Sequence, residues 1–108
     1  MTHLLGLDVG TSSAKAVLID ERGRVVFTTA AAYDFCTPKP LWAESDPADW
    51  WVGAQKALLE IWAKTKVKPG DIAGLGLTGQ MHGLVLLDAA GEVLRPCIMW
   101  NDQRTAKQ

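Results

Sequence analysis

His3-Leu4-Leu5-Gly6-Leu7-Asp8-Val9-Gly10-Thr11-Ser12-Ser13 is the stretch from which the rest of the chain can be read. A mostly apolar run this short suggests a strand buried on both faces. It stops at a carboxylate, a glycine and hydroxyl residues, the composition of a tight turn. Residues 14–19 read as the next strand, Asp20-Glu21-Arg22-Gly23 as a polar turn, and residues 24–32 as a third strand. The opening is therefore predicted to be a three-stranded antiparallel meander with its first turn at residues 10–12.

Outward from the meander, Pro38 and Pro40 mark a loop, and a helix then starts with clear punctuation. Asp46 suits the N-cap, Pro47 the first helical position, and Asp49 the positive end of the helix dipole. Trp51, Ala54, Leu58, Ile61 and Trp62 recur at helical spacing and predict an apolar stripe whose tryptophans are core. Lys64, Lys66 and Lys68, followed by Pro69-Gly70, mark its end. Residues 72–77 predict another buried strand. Residues 84–87 and 92–100 predict a hairpin around Asp88-Ala89-Ala90-Gly91, and residues 105–108 the opening of a second helix. The order β-β-β-α-β places the chain in the α/β class, with a helix crossing over to a further strand.

With 108 residues, 48% of them hydrophobic and 21% charged, the chain can bury a core. A formal net charge of −1 with scattered Lys and Arg argues against a nucleic-acid partner and against a polybasic membrane binder. Cys36 and Cys97 form no C-x-x-C pair and share no metal-ligand spacing with His3 or His82. They read as reduced thiols. With neither a signal peptide nor a run of the ~20 apolar residues a membrane span needs, the chain reads as cytoplasmic.

Three segments could carry chemistry. In Asp8-Val9-Gly10-Thr11-Ser12, a carboxylate that could hold Mg²⁺ precedes a glycine turn whose N–H groups could cradle an anion. Lys15 lies just beyond, within reach of a phosphate; the same residues also suit a plain β-turn with an Asx cap. In Gly79-Gln80-Met81-His82-Gly83, Gln80 and His82 can each donate or accept, which suits a polyhydroxylated ligand, and Met81 offers an apolar wall. A Gly-rich loop with a solvated His is the bland alternative. In Trp100-Asn101-Asp102-Gln103-Arg104, Asp102 and Arg104 could pair, and Asn101 or Asp102 could equally cap the helix that follows.

Taken in order, these segments resemble one family. Gly6-x-Asp8-x-Gly10-Thr11-Ser12-x-x-Lys15 resembles the first phosphate loop of the actin/hexokinase/Hsp70 superfamily. Pro40-Leu41-Trp42-Ala43-Glu44-Ser45-Asp46-Pro47 with Trp50-Trp51 resembles the segment entering the first helix of FGGY carbohydrate kinases. Gly79-Gln80-Met81-His82-Gly83 resembles the sugar-contacting loop of the xylulokinase branch, and Trp100-x-Asp102-x-Arg104 the segment after it. The resemblance covers nearly the whole chain. It implies an RNase H-like mixed sheet with a flanking helix, here an incomplete N-terminal domain over residues 1–108. It implies ATP and Mg²⁺ as cofactors and a small sugar, D-xylulose first, as substrate, and it leaves room for a homodimer at full length. By carry-over Asp8 is the catalytic carboxylate and metal-orienting residue, and Gly10, Thr11, Ser12 and Lys15 serve the phosphates. Gln80, Met81, His82, Asn101 and Asp102 serve the sugar. The family's general base and adenine pocket are expected downstream, so the fragment alone is expected to be inactive. Kinases of ribulose, fuculose, gluconate or glycerol type, or a truncated non-catalytic module, are the alternatives.

Overall fold

The computed structural model describes residues 2–106. Its elements in chain order are β1 (His3–Val9), β2 (Ser13–Asp20), β3 (Val25–Ala32), β4 (Glu44–Ser45), α1 (Pro47–Lys64), β5 (Ile72–Gly79) and β6 (Cys97–Ile98). The main sheet has the order β3-β2-β1-β5, with β1 antiparallel to β2 and parallel to β5. A small second sheet pairs β4 with β6. The predicted meander is present, and α1 makes the crossover that a parallel β1–β5 pair requires.

The meander holds because its turn chemistry matches its strands. One oxygen of the Asp20 carboxylate accepts the backbone N–H groups of Arg22 and Arg24, each at 2.9 Å, and this closes the β2–β3 turn. The residues 88–91 turn uses the same device: Asp88 accepts from Ala90 and Glu92 at 2.9 Å. β1 is not buried on both faces as predicted. His3, Leu5 and Leu7 point into the core, whereas Leu4, Gly6 and Asp8 are exposed, because α1 covers one side of the sheet only.

Helix α1 begins as the sequence predicts, with the Asp46 carboxylate accepting from Ala48 N–H at 3.0 Å and Pro47 in the first turn. Of the expected stripe, Ala54 and Ile61 are buried and Leu58 and Trp62 pack partly buried against the core, whereas Trp51 does not face it. Gly53, Ala54, Ala57 and Ile61 are buried, Trp50 packs against them, and Trp51 is 67% exposed. Small residues on the helix meet Ala14 and Ala16 on β2, both fully buried, so the backbones approach closely. Leu18 and Ile61, both fully buried, each contribute about 1.5–3 kcal/mol by leaving water.

Two further expectations are corrected. β5 forms as a strand but is not buried: Leu75 and Leu77 are 58% and 68% exposed, since α1 packs over β2 and β3 and leaves β5 uncovered at the sheet edge. The hairpin of residues 84–100 reduces to isolated bridges, Leu87 with Val93 and Leu84 with Ile98. Pro96 lacks a backbone donor, and beyond it Cys97 and Ile98 pair with β4, Ile98 keeping its bridge to Leu84 on the other side. A 3-10 turn at Pro69–Asp71 leads into β5. Of the second helix, residues 104–106 form only a turn, and the rest of that expectation lies outside the described residues. No helix among the described residues is long and apolar enough to cross a membrane.

Candidate functional site

Because β1 and β5 run parallel, their carboxyl ends lie side by side, where open α/β sheets place their ligands. Asp8 stands in register with Thr78 on one side and Lys15 on the other. The Thr78 hydroxyl donates to Asp8 Oδ1 at 2.7 Å. Asp8, Lys15 and Thr78 line an open depression on the face of the sheet away from α1, floored by Gly6 and Gly76.

The turn after Asp8 is held from below. Gly10 N–H donates to Ser13 O at 2.9 Å, and a Cβ at Gly10 would sit 3.2 Å from that same oxygen. Tyr33, buried beneath the turn, donates its hydroxyl to the carbonyls of Gly10 and Ser13, at 2.5 and 3.0 Å. Its N–H reaches Ser12 O at 3.0 Å. Burial, and after it the Asp8 charge, push the Tyr33 phenol up from its ordinary pKa. Tyr33 carried no signal in the sequence, since it lies outside every motif and touches the turn only through the fold.

Thr11 connects this turn to the other two segments. Its hydroxyl accepts from Trp100 Nε1 at 3.0 Å and donates to Gln80 Oε1 at 3.2 Å. Among the described residues, Gln80 Nε2 and Asn101 Oδ1 are buried without a hydrogen-bond partner. A buried amide atom left in that state costs about 1–3 kcal/mol, which a ligand can recover. Met81 is 73% exposed and His82 is exposed as well, with His82 in the left-handed region at φ 60°. A non-glycine residue held there marks a loop whose backbone is fixed by its surroundings.

Asp102 and Arg104 do pair, and the pair serves the frame. Arg104 Nη2 lies 2.7 Å from Asp102 Oδ2 and 2.7 Å from Glu44 Oε2, and Arg95 also binds Glu44. Ala43 N–H donates to Asp102 Oδ2 at 2.7 Å, so both Asp102 oxygens are engaged. Arg104 sits 3.7 Å and Lys39 4.7 Å from the Trp42 ring centroid. The Arg104 hydrogen bonds, before any other influence, hold the Asp102 and Glu44 carboxyls below the usual carboxylate range. Conversely, the bond to Asp102 raises Arg104. Trp42-Ala43-Glu44 and Asp102-Gln103-Arg104 are thus two halves of one clamp beside the Trp100-Asn101 segment.

Of the residues singled out from sequence, Thr11, Gln80 and the Trp100 segment meet directly, and Asp8 and Lys15 share a row of the sheet. Met81 and His82 lie on the adjoining loop. Thr78 was missed; only the parallel register with Asp8 reveals it.

The fold is that of the sugar kinases of the actin/hexokinase/Hsp70 class: over 97% of this chain, and 22% of the other, a xylulose kinase structure from Brucella ovis superposes with a TM-score of 0.92 at 46% identity. Residues 3–108 match the N-terminal domain of the FGGY family of carbohydrate kinases, and the chain belongs to that family. A xylulose kinase from Klebsiella pneumoniae is 42% identical over 104 residues, 96% of this chain and 21% of the relative. A glycerol kinase from Paracidovorax citrulli is 36% identical over 105 residues, again 96% and 21%. The chain spans about a fifth of the length of the curated relatives it matches.

Proposed function

We propose that the intact protein is a cytoplasmic kinase that phosphorylates a ketose at the expense of ATP, with D-xylulose giving D-xylulose 5-phosphate. Residues 1–108 then supply the first part of its sugar-binding domain. One observation carries the reading. Thr11 ties a glycine-turn anion cradle to two segments that hold buried, unpartnered amide atoms. Those atoms are a donor at Gln80 and an acceptor at Asn101, the two kinds of group a hydroxyl needs. The xylulose kinase relatives support the choice of sugar.

The residues fit the cofactors that the family implies. Gly10 leaves the cradle open where a Cβ would press on Ser13 O, Asp8 offers a carboxylate at the strand end, and Lys15 lies beside it. Asp8 would hold Mg²⁺, and the backbone of the turn at residues 10–12, with Lys15, would hold the phosphates of ATP. When bound, Mg·ATP supplies the phosphoryl group and neutralises the charge that develops as it transfers. This chain's part is to position: Thr78 fixes the Asp8 carboxylate, and Tyr33 fixes the turn. Gln80, Asn101, Met81 and His82 orient the sugar, and the Asp102–Arg104–Glu44 clamp holds the Trp100 segment in place. The base that takes the sugar proton is assigned outside these residues.

A kinase of the same family acting on another substrate is the second reading, favoured by the glycerol kinase relative. Sugar-dependent ADP release by the full-length protein, with D-xylulose, D-ribulose, L-fuculose, gluconate and glycerol, separates the two. Preference for D-xylulose is expected. Preference for another member of the panel overturns the sugar assignment, and no release with any of them overturns the kinase reading.

A further inference from the structure

The Thr11 side chain sits in a stretch that resembles a phosphate loop, yet both of its described bonds face the sugar side. An indole N–H only donates, so Trp100 uses a lone pair of Thr11 Oγ1, at 3.0 Å. The hydroxyl has one proton, and it goes to Gln80 Oε1 at 3.2 Å. Anionic phosphate oxygens only accept, so a Thr11 hydroxyl bonded in this way has no proton left for them. The Gly10 N–H is taken by Ser13 O, so the backbone N–H groups of Thr11 and Ser12 and the exposed Ser12 hydroxyl remain for that role. With Oε1 turned to Thr11, the other end of the Gln80 amide is the buried, unpartnered Nε2.

We propose that Thr11 is a positioning residue of the sugar site: the Trp100–Thr11–Gln80 chain orients the Gln80 amide so that Nε2 is presented to the substrate as a hydrogen-bond donor. The group it meets is an acceptor oxygen of the sugar, a hydroxyl or the ketose carbonyl. The three residues are far apart in sequence, 69 positions from Thr11 to Gln80 and 89 to Trp100, so the chain of bonds exists only in the folded domain. This proposal rests on the kinase reading above.

The test is steady-state kinetics of full-length Thr11→Val and Thr11→Ser proteins with both substrates varied. Valine keeps the shape and removes the hydroxyl; serine restores it. Thr11→Val is expected to raise the KM for the sugar about tenfold, roughly the loss of one well-placed hydrogen bond, with the KM for ATP within about twofold of the parent. Thr11→Ser is expected to recover most of the sugar KM. Trp100→Phe, which removes only the indole donor, is expected to move the sugar KM in the same direction as Thr11→Val. A raised ATP KM with unchanged sugar KM would return Thr11 to the phosphates and overturn the proposal. So would a rise in both that serine does not rescue, which marks a purely structural role. A parent protein inactive on every sugar defeats the kinase reading itself, whereas an active parent with an indifferent Thr11→Val defeats only this assignment.

Discussion

Replacing Gly53 by alanine should destabilise the protein, although the same change in an ordinary helix interior stabilises it. Gly53 faces the sheet from the middle of α1, and a Cβ there would lie 2.8 Å from Tyr33 Cδ2, 3.0 Å from Tyr33 Cε2 and 3.7 Å from Ala14 Cβ. Ordinary carbon contacts are about 3.5–4.0 Å, so the ring would have to retreat by about 0.5–1 Å. It is not free to do so: the Tyr33 hydroxyl is fixed to Gly10 O and Ser13 O, and the residue is 8% exposed. Overpacking of this kind costs about 1–3 kcal/mol, against about 1 kcal/mol gained in helix propensity, which leaves a net loss of about 0–2 kcal/mol. Taking the middle of that range, about 1 kcal/mol, the melting temperature of the full-length protein should fall by about 2–4 °C. Urea and thermal unfolding of Gly53→Ala, Tyr33→Phe and the double variant measure it. In the Tyr33→Phe background the ring has lost its anchor and can yield, so the penalty should shrink. A Gly53→Ala protein about 1 kcal/mol more stable than the parent would refute the reasoning.

On the kinase reading proposed above, Asp8→Ala in the full-length protein should lower kcat by about 10²–10³ with little change in sugar KM, because its partner would be the transferring phosphoryl group; an unchanged kcat would remove Asp8 from the chemistry. His82→Ala should chiefly raise the sugar KM, and a rise in nucleotide KM alone would show that its loop faces the other ligand. Asp102 and Glu44 have folded-state carboxyl pKa values held down by Arg104, so their contribution is complete above the unfolded values near 4 and is lost as pH falls through the lower folded ones. The urea midpoint of the parent should therefore fall more steeply between about pH 5 and pH 3 than that of Asp102→Asn, and parallel curves would count against the clamp. The 108-residue chain by itself should self-associate through the open edge of β5 and through Leu75 and Leu77; sedimentation showing a monomer with a sharp two-state melt would contradict this.

What could be read in the sequence was local. Asp20-x-x-Gly23, Asp88-x-x-Gly91 and Asp46-Pro47 each carry their own hydrogen-bond chemistry, and each turn or cap formed where it was expected. The α1 stripe was right at Ala54, Leu58, Ile61 and Trp62, but took Trp51 for core in place of Trp50 and missed Gly53 and Ala57, because bulky residues were counted. The true buried face is built on Gly53, Ala54 and Ala57, whose value is closeness of approach and not apolar area. The exposure of β5 was illegible from an apolar run alone, since burial depends on what lies across the strand. At the site, the residue types of Asp8, Thr11, Gln80 and Asn101 were visible. The Thr78–Asp8 bond and the Tyr33 support were not, because both depend on register and crossover.

The parallel pairing of β1 with β5 also sets an order of events during folding. β1, β2 and β3 are joined by short turns, so the meander needs only short loops to close. β5 must wait for the whole of α1, and contacts of that separation carry a larger closure entropy and form more slowly. The turn after Asp8 can thus be shaped early, with Asp8 in place but lacking Thr78. The hydroxyl that steadies its carboxylate arrives only when β5 joins β1.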